Sequence, residues 1–409
     1  MPRTKKEKSK LKGASSSFVP ILTKFLKTYE KHCLQSQTSV CPTIKKALKT
    51  SIENKQILRK LMLVSPAVSP KNFPEVSLEP LLKTIRDERY MLGRELCIWG
   101  MKLKNSDVAS LAILLELRGR TMYPFSTLEI INSQMDLWSI ERLGKCLLSS
   151  NLLSIILDYN KFGNEEVDIL MAGLEKNQKL MILSLRYCNL GPTSGSKLGQ
   201  AVSQSAICEL YLSGNYLQCS GALALIEPIA EFAENQGKDK ATKLLQDRRS
   251  PSQQMLQGKL EVEEHLVTRA QTFQHGNDCL QKTLIFLTGF KKNKKASSEI
   301  GPWLIKLHLD DNGIDGRGKE GEGGVLEFTQ LVTYLIKYSG HLREIDLGNN
   351  VLGEIAATNI LEALKERKKA KLPNLHIIVT PQISSDTFRS IWKNNRNSGS
   401  VQKKKKVSN

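Results

Sequence analysis

The stretch Leu152–Leu217 contains one eleven-residue pattern three times. The first copy, Leu152–Phe162, reads LLSIILDYNKF, and the second, Leu180–Leu190, reads LMILSLRYCNL. The third, Ile207–Leu217, reads ICELYLSGNYL. Each copy has apolar residues at its positions 1, 4, 6 and 11 and Asn or Cys at position 9. A recurring unit of this size cannot bury its own apolar face, so the pattern predicts a stack of neighbouring units.

The ninth position holds Asn160, Cys188 and Asn215, which are spaced by 28 and 27 residues. Side chains of these types satisfy backbone groups where a chain turns inward after a strand, so we predict structural turn residues here. The pattern and its period resemble the leucine-rich repeat, and the alternation of Asn and Cys resembles the ribonuclease-inhibitor-like subtype. The resemblance implies an α/β solenoid: a leucine-rich-repeat horseshoe with parallel strands on the concave face, helices on the convex face and a helical N-terminal cap.

Further copies lie on both sides of this stretch. Leu304–Ile314 and Leu342–Leu352 fit the pattern, with Asn312 and Asn350 as predicted turn residues. Upstream, Leu96–Leu103 and Phe125–Met135 are degenerate copies with Met and Ser in the turn position. Asn215 and Asn312 are 97 residues apart, which leaves an insertion of about 70 residues after one repeat is subtracted.

The chain is long enough for one repeat domain with additions at its ends. We predict six segments: a basic tail with amphipathic helices (1–60), a linker and N-terminal cap (61–91), leucine-rich repeats (92–235), a partly disordered or helical insertion (236–300), repeats with a C-terminal cap (301–392) and a basic disordered tail (393–409). Leu58 and Leu61 continue, less regularly, the apolar spacing of the second N-terminal helix. The N-terminal helices are predicted to cap the first repeat; docking to a partner or a membrane surface is the alternative.

The positive charge is concentrated at the two ends of the chain. Residues 1–60 contribute +12 and residues 393–409 contribute +6 to a net charge of +19. No secretory signal and no apolar run long enough to cross a bilayer is expected from the sequence. The eight cysteines show no C-x-x-C pair, which favours free thiols in a reducing, intracellular environment.

No arrangement typical of catalysis is found in the sequence. Gly316–Gly321 is a literal G-x-G-x-x-G, but it follows a repeat strand and is surrounded by acids that would repel a pyrophosphate. We interpret it as a flexible loop. His275 and Cys279 have the spacing of half a zinc site, and the other half is missing. We therefore expect no catalytic residue, no cofactor and no metal.

The residues between the core leucines are expected to line one open face, because successive side chains of a strand point in opposite directions. Eight acids and two bases fall on or beside this face, a sum of about −6. The predicted partner-binding residues are Glu95, Trp99, Glu129, Asp158, Tyr159, Arg186, Tyr187, Glu209, Tyr211, His308, Asp310, Glu344 and Asp346. Aromatic residues among charges of one sign are typical of a binding surface.

The sequence therefore favours a non-catalytic intracellular scaffold that binds a protein partner with a basic surface through an acidic-aromatic concave face. The alternative is a nucleic-acid- or microtubule/axoneme-associated protein, bound to an acidic polymer through its lysine-rich tails. Cytoplasm and nucleus are the expected locations, and the resemblance permits a cilium.

Overall fold

A computed structural model describes residues 18–66, 74–116, 121–175, 177–247 and 303–399; within 236–247 and 397–399 it describes the backbone. The strands are β1 Lys60–Val64, β2 Glu95–Trp99, β3 Thr127–Ile131, β4 Ser154–Ile156, β5 Ile182–Ser184, β6 Glu209–Tyr211, β7 Lys306–His308, β8 Glu344–Leu347 and β9 His376–Val379. The helices are α1 Phe18–Gln35, α2 Pro42–Glu53, α3 Glu79–Asp87, α4 Asn105–Leu115, α5 Leu137–Leu147, α6 Asn164–Leu174, α7 Ser194–Ser203, α8 Gln218–Asp247, α9 Gly321–Tyr338, α10 Gly353–Lys369 and α11 Ser385–Gly399.

The nine strands form one open parallel sheet in sequence order, from β1 to β9. Each strand pairs with the next in a constant register; Leu183 pairs with Leu210, and Leu210 with Leu307. The register continues across the long insertion, because β6 and β7 are direct neighbours although Tyr211 and Lys306 are 95 residues apart. β6 and β7 are therefore adjacent in the sheet although the long insertion separates them in the sequence.

The core lies between the sheet and a layer of helices. One apolar residue from each strand forms a buried row with at most 1% exposure: Leu61, Leu96, Leu128, Ile155, Leu183, Leu210, Leu307, Ile345 and Ile377. From α3 to α11, each helix contacts the next helix in the chain. This arrangement of alternating strands and helices is an α/β solenoid, so the predicted fold class is confirmed.

Turn asparagines tie consecutive repeats together. The side chain of Asn215 accepts hydrogen bonds from the backbone N–H groups of Cys188 and Leu190, at 2.9 and 3.1 Å. Its amide group donates to the carbonyl oxygens of Leu185 and Leu212. Asn160 and Asn350 make equivalent bonds. Because these bonds join one repeat to the preceding one, the predicted turn residues are part of the stacking interface.

The N-terminal cap covers the free edge of the sheet at β1. α1 packs on α2 and α3, and α2 packs on β1. The thiol of Cys41, just before α2, lies 3.9 Å from the Met62 carbonyl oxygen and 3.8 Å from that of Val64. An uncovered strand edge would leave such groups open to another chain, so α1 and α2 complete the fold.

α11 covers the opposite edge, at β9. Asn394 donates to the Leu375 carbonyl, and Asn395 both accepts from the Ile377 N–H and donates to the Ile377 carbonyl. Glu354, at the start of α10, accepts from the Ser384 N–H at 2.6 Å and from the Thr387 hydroxyl at 2.6 Å. These bonds fix the start and the middle of α11 against the last repeat.

Two expectations need correction. Leu61 does not belong to a helix: α2 ends at Glu53, and Lys60–Val64 is the first strand of the sheet rather than part of a linker. Pairing with β2 decides this, because tertiary contacts override the local preference of a short apolar run. Residues 393–399 are not a disordered tail but the last turns of α11. The predictions for residues 1–17, 248–302 and 400–409 lie outside the described residues.

Candidate functional site

The strand face is the surface of the sheet that points away from the helices. At its N-terminal end, Lys60 lies 3.2 Å from Glu129 and 3.5 Å from Glu95, and the Trp99 indole N–H donates to Glu129 at 3.3 Å. Cys97 lies between them, and burial raises the pKa of its thiol to about 12. The thiol is therefore protonated near neutral pH and is not a nucleophile.

Asp158 is a buried carboxylate in the centre of the strand face, 6% exposed. It accepts hydrogen bonds from the Ser184 hydroxyl at 2.6 Å and from the Arg186 backbone N–H at 3.0 Å. The Arg186 guanidinium is 3.8 Å from the same carboxylate and 4.4 Å from the centre of the Tyr211 ring. Asp158 therefore positions Arg186 for a cation–π contact inside the chain.

Tyr211 links the central and C-terminal parts of the face. Its hydroxyl donates to Glu209 at 2.5 Å, and the Lys306 ammonium lies 3.3 Å from Glu209 and 3.4 Å from the Tyr211 oxygen. The His308 ring meets the Tyr211 ring edge-on at 4.7 Å. Burial raises the pKa of Tyr211 to about 12, and the Glu209 charge adds to the rise. Tyr211 is thus a neutral, internally bonded residue.

Tyr159 and Tyr187 form a tyrosine ladder where β4 and β5 end. Their rings are stacked, with centroids 4.8 Å apart and planes inclined by 11°. This spacing equals the distance between neighbouring strands, so equivalent positions in adjacent repeats place the two rings face to face. Both residues have a left-handed backbone, with φ of 61° and 54°. Their side chains remain 53% and 42% exposed.

The C-terminal end of the face carries four carboxylates, Asp310, Asp311, Glu344 and Asp346, here called the acidic end. Glu344 contacts His308 at 2.9 Å. Asp310 accepts from the Ser213 hydroxyl, and Asp346 accepts from the Gly348 N–H. Burial raises the pKa of Asp346, and the neighbouring Asp310 charge adds to the rise. Within the described part of the chain, no lysine or arginine pairs with Asp310, Asp311 or Asp346.

A set of three potential metal ligands lies within this region. One ligand atom each of His308, Asp310 and Asp346 lies within 4.8 Å of the others. Nitrogen and carboxylate oxygen ligands suit several divalent cations. Each of the three already bonds to a group of the chain itself, and we assign no ion to them. The sequence did not predict this set, because the three residues come from two different repeats.

The structure brings all thirteen predicted binding residues onto the strand face but gives them different roles. Glu129, Asp158 and Glu209 are buried and bonded within the chain. Trp99, Arg186, Tyr211 and His308 are half-buried and have internal partners. Half-buried carboxylates remain at Glu95, Asp310, Glu344 and Asp346, and the exposed aromatic rings are Tyr159 and Tyr187.

Lys60 is a residue of the face that the sequence interpretation missed. It raises the number of bases beside the eight acids from two to three. The signal that could have identified it is the alternation Leu61-Met62-Leu63, which precedes Leu96-Cys97-Ile98 by 35 residues and has no Asn after it. With Lys60 in place, each carboxylate of the strand face outside the acidic end has a basic partner among the described residues.

The comparisons agree with this geometry. A family model described as Leucine Rich repeat matches residues 176–199, which include the turn Cys188 and strand β5. The match supports a leucine-rich repeat protein. Repeats of this kind generally mediate contacts between proteins, and the match indicates no enzyme family. No curated protein matches the chain. Among the helices of the described residues, none combines the length and the apolar character that crossing a bilayer requires.

Proposed function

We propose that this chain is a non-catalytic interaction scaffold of the ribonuclease-inhibitor-like subtype, which binds a protein with a basic surface through its strand face. The tyrosine ladder and the acidic end would carry the contact. The observation on which this rests is the position of two half-exposed, stacked tyrosines beside carboxylates without a basic counterpart in the described chain.

Exposed aromatic rings next to charges of one sign are suited to recognition. The rings supply a large contact area that needs little ordering, and the carboxylates steer a basic partner and fix its register. Asp310 and Asp311 are near enough to the Tyr187 phenol to contribute to raising its pKa, after burial itself. An arginine or lysine of the partner can therefore stack on a ring and meet a carboxylate at the same time.

The backbone conformation of Tyr159 and Tyr187 supports a role for these residues other than stabilising the fold. Equivalent positions in other repeats are occupied by Gly100, Asn132, Gly214, Asp311 and Asn349, all with positive φ. Glycine, asparagine and aspartate adopt this conformation readily, whereas a bulky residue there costs about 1–2 kcal/mol. Tyrosine at two successive positions therefore carries a conformational cost, and such strain is common at functional sites.

An intracellular location, in cytoplasm, nucleus or cilium, belongs to this proposal. It is supported by the cysteines: the seven described ones are free, and all are buried. Burial raises the pKa of Cys146, Cys188 and Cys208 to about 12, so these thiols serve as apolar core groups and not as reactive sites.

The test compares affinity capture by the full chain and by two charge-matched variants. Asp310→Asn/Asp311→Asn removes two charges from the acidic end, while Glu165→Gln/Asp168→Asn removes two exposed charges from the opposite, helical side on α6. We expect a captured basic protein to be lost with the first variant and with Tyr159→Asn/Tyr187→Asn, and to be kept with the second. Equal capture by the unchanged chain and by all three variants would contradict the proposal.

A second candidate function is binding of an acidic polymer, either nucleic acid or a microtubule, through the lysine-rich ends. Among the described residues, the outer surface of the N-terminal cap favours this function, because it exposes Lys27, Lys31, Lys46 and Lys49. Affinity for such a polymer would fall steeply with salt and with charge removal at these lysines. It would not respond to substitutions at the acidic end.

A further inference from the structure

A cavity of about 510 Å³ opens beside the tyrosine ladder, at the turns that follow β2, β3 and β4. Asn132, Gln134 and Tyr159 line it together with Lys102 and Lys161. A cavity of this size accommodates a small ligand or a large side chain. Here it is called the turn cavity. It lies on the β3 side of Tyr159, away from the acidic end at β7 and β8.

The charge of the turn cavity is opposite to that of the acidic end. Lys102 and Lys161 are exposed, and among the described residues neither ammonium group has an ion-pair partner. The lysines of the strand face, Lys60 and Lys306, are both paired with glutamates. Among the described residues, none that lines the cavity is acidic. The turn cavity therefore presents two uncompensated positive charges.

Tyr159 supplies a flat wall. One side of its ring stacks on Tyr187, which lies toward β5. Asn132, the equivalent residue on the β3 side, has a short side chain and lines the cavity together with Tyr159. Because the Tyr159 side chain is 53% exposed and lines the cavity, its ring can stack on a second planar group there.

The backbone amides at the turns are already occupied. The Gly100 N–H donates to the Ile131 carbonyl, the Asn132 N–H to the Asp158 carbonyl, and the Ser133 N–H to the Asn160 side chain. An anion in this cavity would therefore depend on the lysine ammonium groups. Two such charges match a phosphate monoester, which carries about −1.5 to −2 at neutral pH, better than a single carboxylate.

From the wall and the charges together, we propose that the turn cavity binds a phosphate monoester carried on a planar ring. The ring stacks on the open face of Tyr159, and the phosphate lies between the ammonium groups of Lys102 and Lys161. A phosphotyrosine side chain and a nucleoside monophosphate both combine a planar ring with a phosphate monoester, directly in the first and through the ribose in the second. The site shares Tyr159 with the surface proposed for a basic partner, but it uses none of the residues of the acidic end.

The experiment measures binding to the full chain by calorimetry and ligand-detected NMR. The probes are N-acetyl-phosphotyrosine amide, adenosine monophosphate and inorganic phosphate. We expect a ring-bearing phosphate to bind about tenfold or more tightly than inorganic phosphate, and the tighter of the two ring probes identifies the source. Lys102→Gln/Lys161→Gln should weaken that binding by about tenfold or more. Tyr159→Asn should reduce it to the level of inorganic phosphate; asparagine tolerates the left-handed backbone there.

Two controls separate this site from general effects. Lys46→Gln/Lys49→Gln removes two exposed lysines from α2 and should leave the affinity unchanged. Asp310→Asn/Asp311→Asn should also leave it unchanged, which distinguishes this proposal from the one about a basic partner. The proposal is overturned if neither ring-bearing phosphate binds, if inorganic phosphate binds as tightly, or if the Lys102/Lys161 variant keeps the wild-type affinity.

Discussion

The ring of Tyr187 occupies the space that a side chain at position 214 would need. A Cβ atom built on Gly214 would overlap the Tyr187 ring atoms, and the backbone of Gly214 has a φ of +69°. Residue 214 is the next position along the row that contains Tyr159 and Tyr187. Gly214 therefore ends the tyrosine ladder, and its lack of a side chain leaves room for the Tyr187 ring over the turn that follows β6. Gly214 therefore leaves only the opposite end of the ladder, beside Tyr159, as the place where another ring can stack.

Gly214→Ala should lower the free energy of unfolding by about 2 kcal/mol or more. The left-handed backbone alone costs about 1–2 kcal/mol with alanine, and displacement of the Tyr187 ring adds to this. Gly313→Ala is the matched control, since Gly313 has a φ of +66° and open space around its Cα. Urea unfolding of both variants measures the difference. Equal destabilisation at the two glycines would show that the Tyr187 contact contributes nothing.

Asn215→Ala should destabilise the fold more than Cys188→Ala. The Asn215 side chain makes five hydrogen bonds to backbone groups of two repeats and is 2% exposed. Its loss leaves buried groups unsatisfied, which we expect to cost about 3 kcal/mol or more. The Cys188 thiol makes weaker bonds to the Leu157 and Arg186 carbonyl oxygens, and its replacement should cost about 1 kcal/mol. Chemical denaturation compares them; a reversed order would contradict the role of the turn asparagine.

We expect that replacing Arg367 by lysine lowers the stability of the fold. It is 2% exposed, and its guanidinium donates to the carbonyl oxygens of Ile336, Ser339, Leu342 and Pro373, at 2.7–2.8 Å. Burial lowers the pKa of Arg367 to about 10. An ammonium group cannot reach four acceptors in this fork geometry, so Arg367→Lys should lower stability by about 2 kcal/mol or more. Thermal unfolding checks this, with Lys365→Arg on the same helix as the control. An unchanged midpoint for Arg367→Lys would refute it.

Docking of α11 should weaken in acid. The Ser384 N–H and the Thr387 and Ser384 hydroxyls hold the pKa of Glu354 below its ordinary value of 4.5. A carboxylate with a lowered pKa contributes stability above its unfolded pKa and loses it as the pH falls through the folded one. The protection of the α11 amides, measured as the hydrogen-exchange rate relative to the intrinsic rate at each pH, should therefore fall below about pH 4.5, and Glu354→Gln should lower it at neutral pH and remove the acid dependence.

Glu362→Gln is the control for that measurement, because Glu362 is exposed on the same helix α10. It should leave the exchange of α11 and its pH dependence as in the unchanged chain. If Glu362→Gln and Glu354→Gln had the same effect, the contact between Glu354 and Ser384 would not be what docks α11.

The strand face shows which properties of a surface can be predicted from the local sequence pattern and which cannot. Alternation along each strand correctly assigned Glu129, Asp158 and Glu209 to the face opposite the core. It could not show that each of them is bonded to a residue of the chain. Lys60 and Glu129 are 69 residues apart, and Lys306 and Glu209 are 97 apart. Pairing at such separations depends on which strands become neighbours.

The strand β1 illustrates the second limit. Its sequence has the alternating leucines of a repeat strand but no turn asparagine, and the preceding apolar residues have helical spacing. Local preference leaves both structures possible, because short apolar runs fit either. The pairing of Leu61 with Leu96 decides for the strand.

The sequence by itself determined the repeat unit, its period, the buried leucines and the turn residues Asn160, Cys188, Asn215, Asn312 and Asn350, because these depend on alternation and spacing within one unit. The tertiary structure alone decided which carboxylates stay unpaired, how Tyr159 and Tyr187 stack, and that Lys102 and Lys161 share a cavity. Those properties arise between units, where the spacing of about 4.8 Å between paired strands brings together side chains that are one or more repeats apart in the chain.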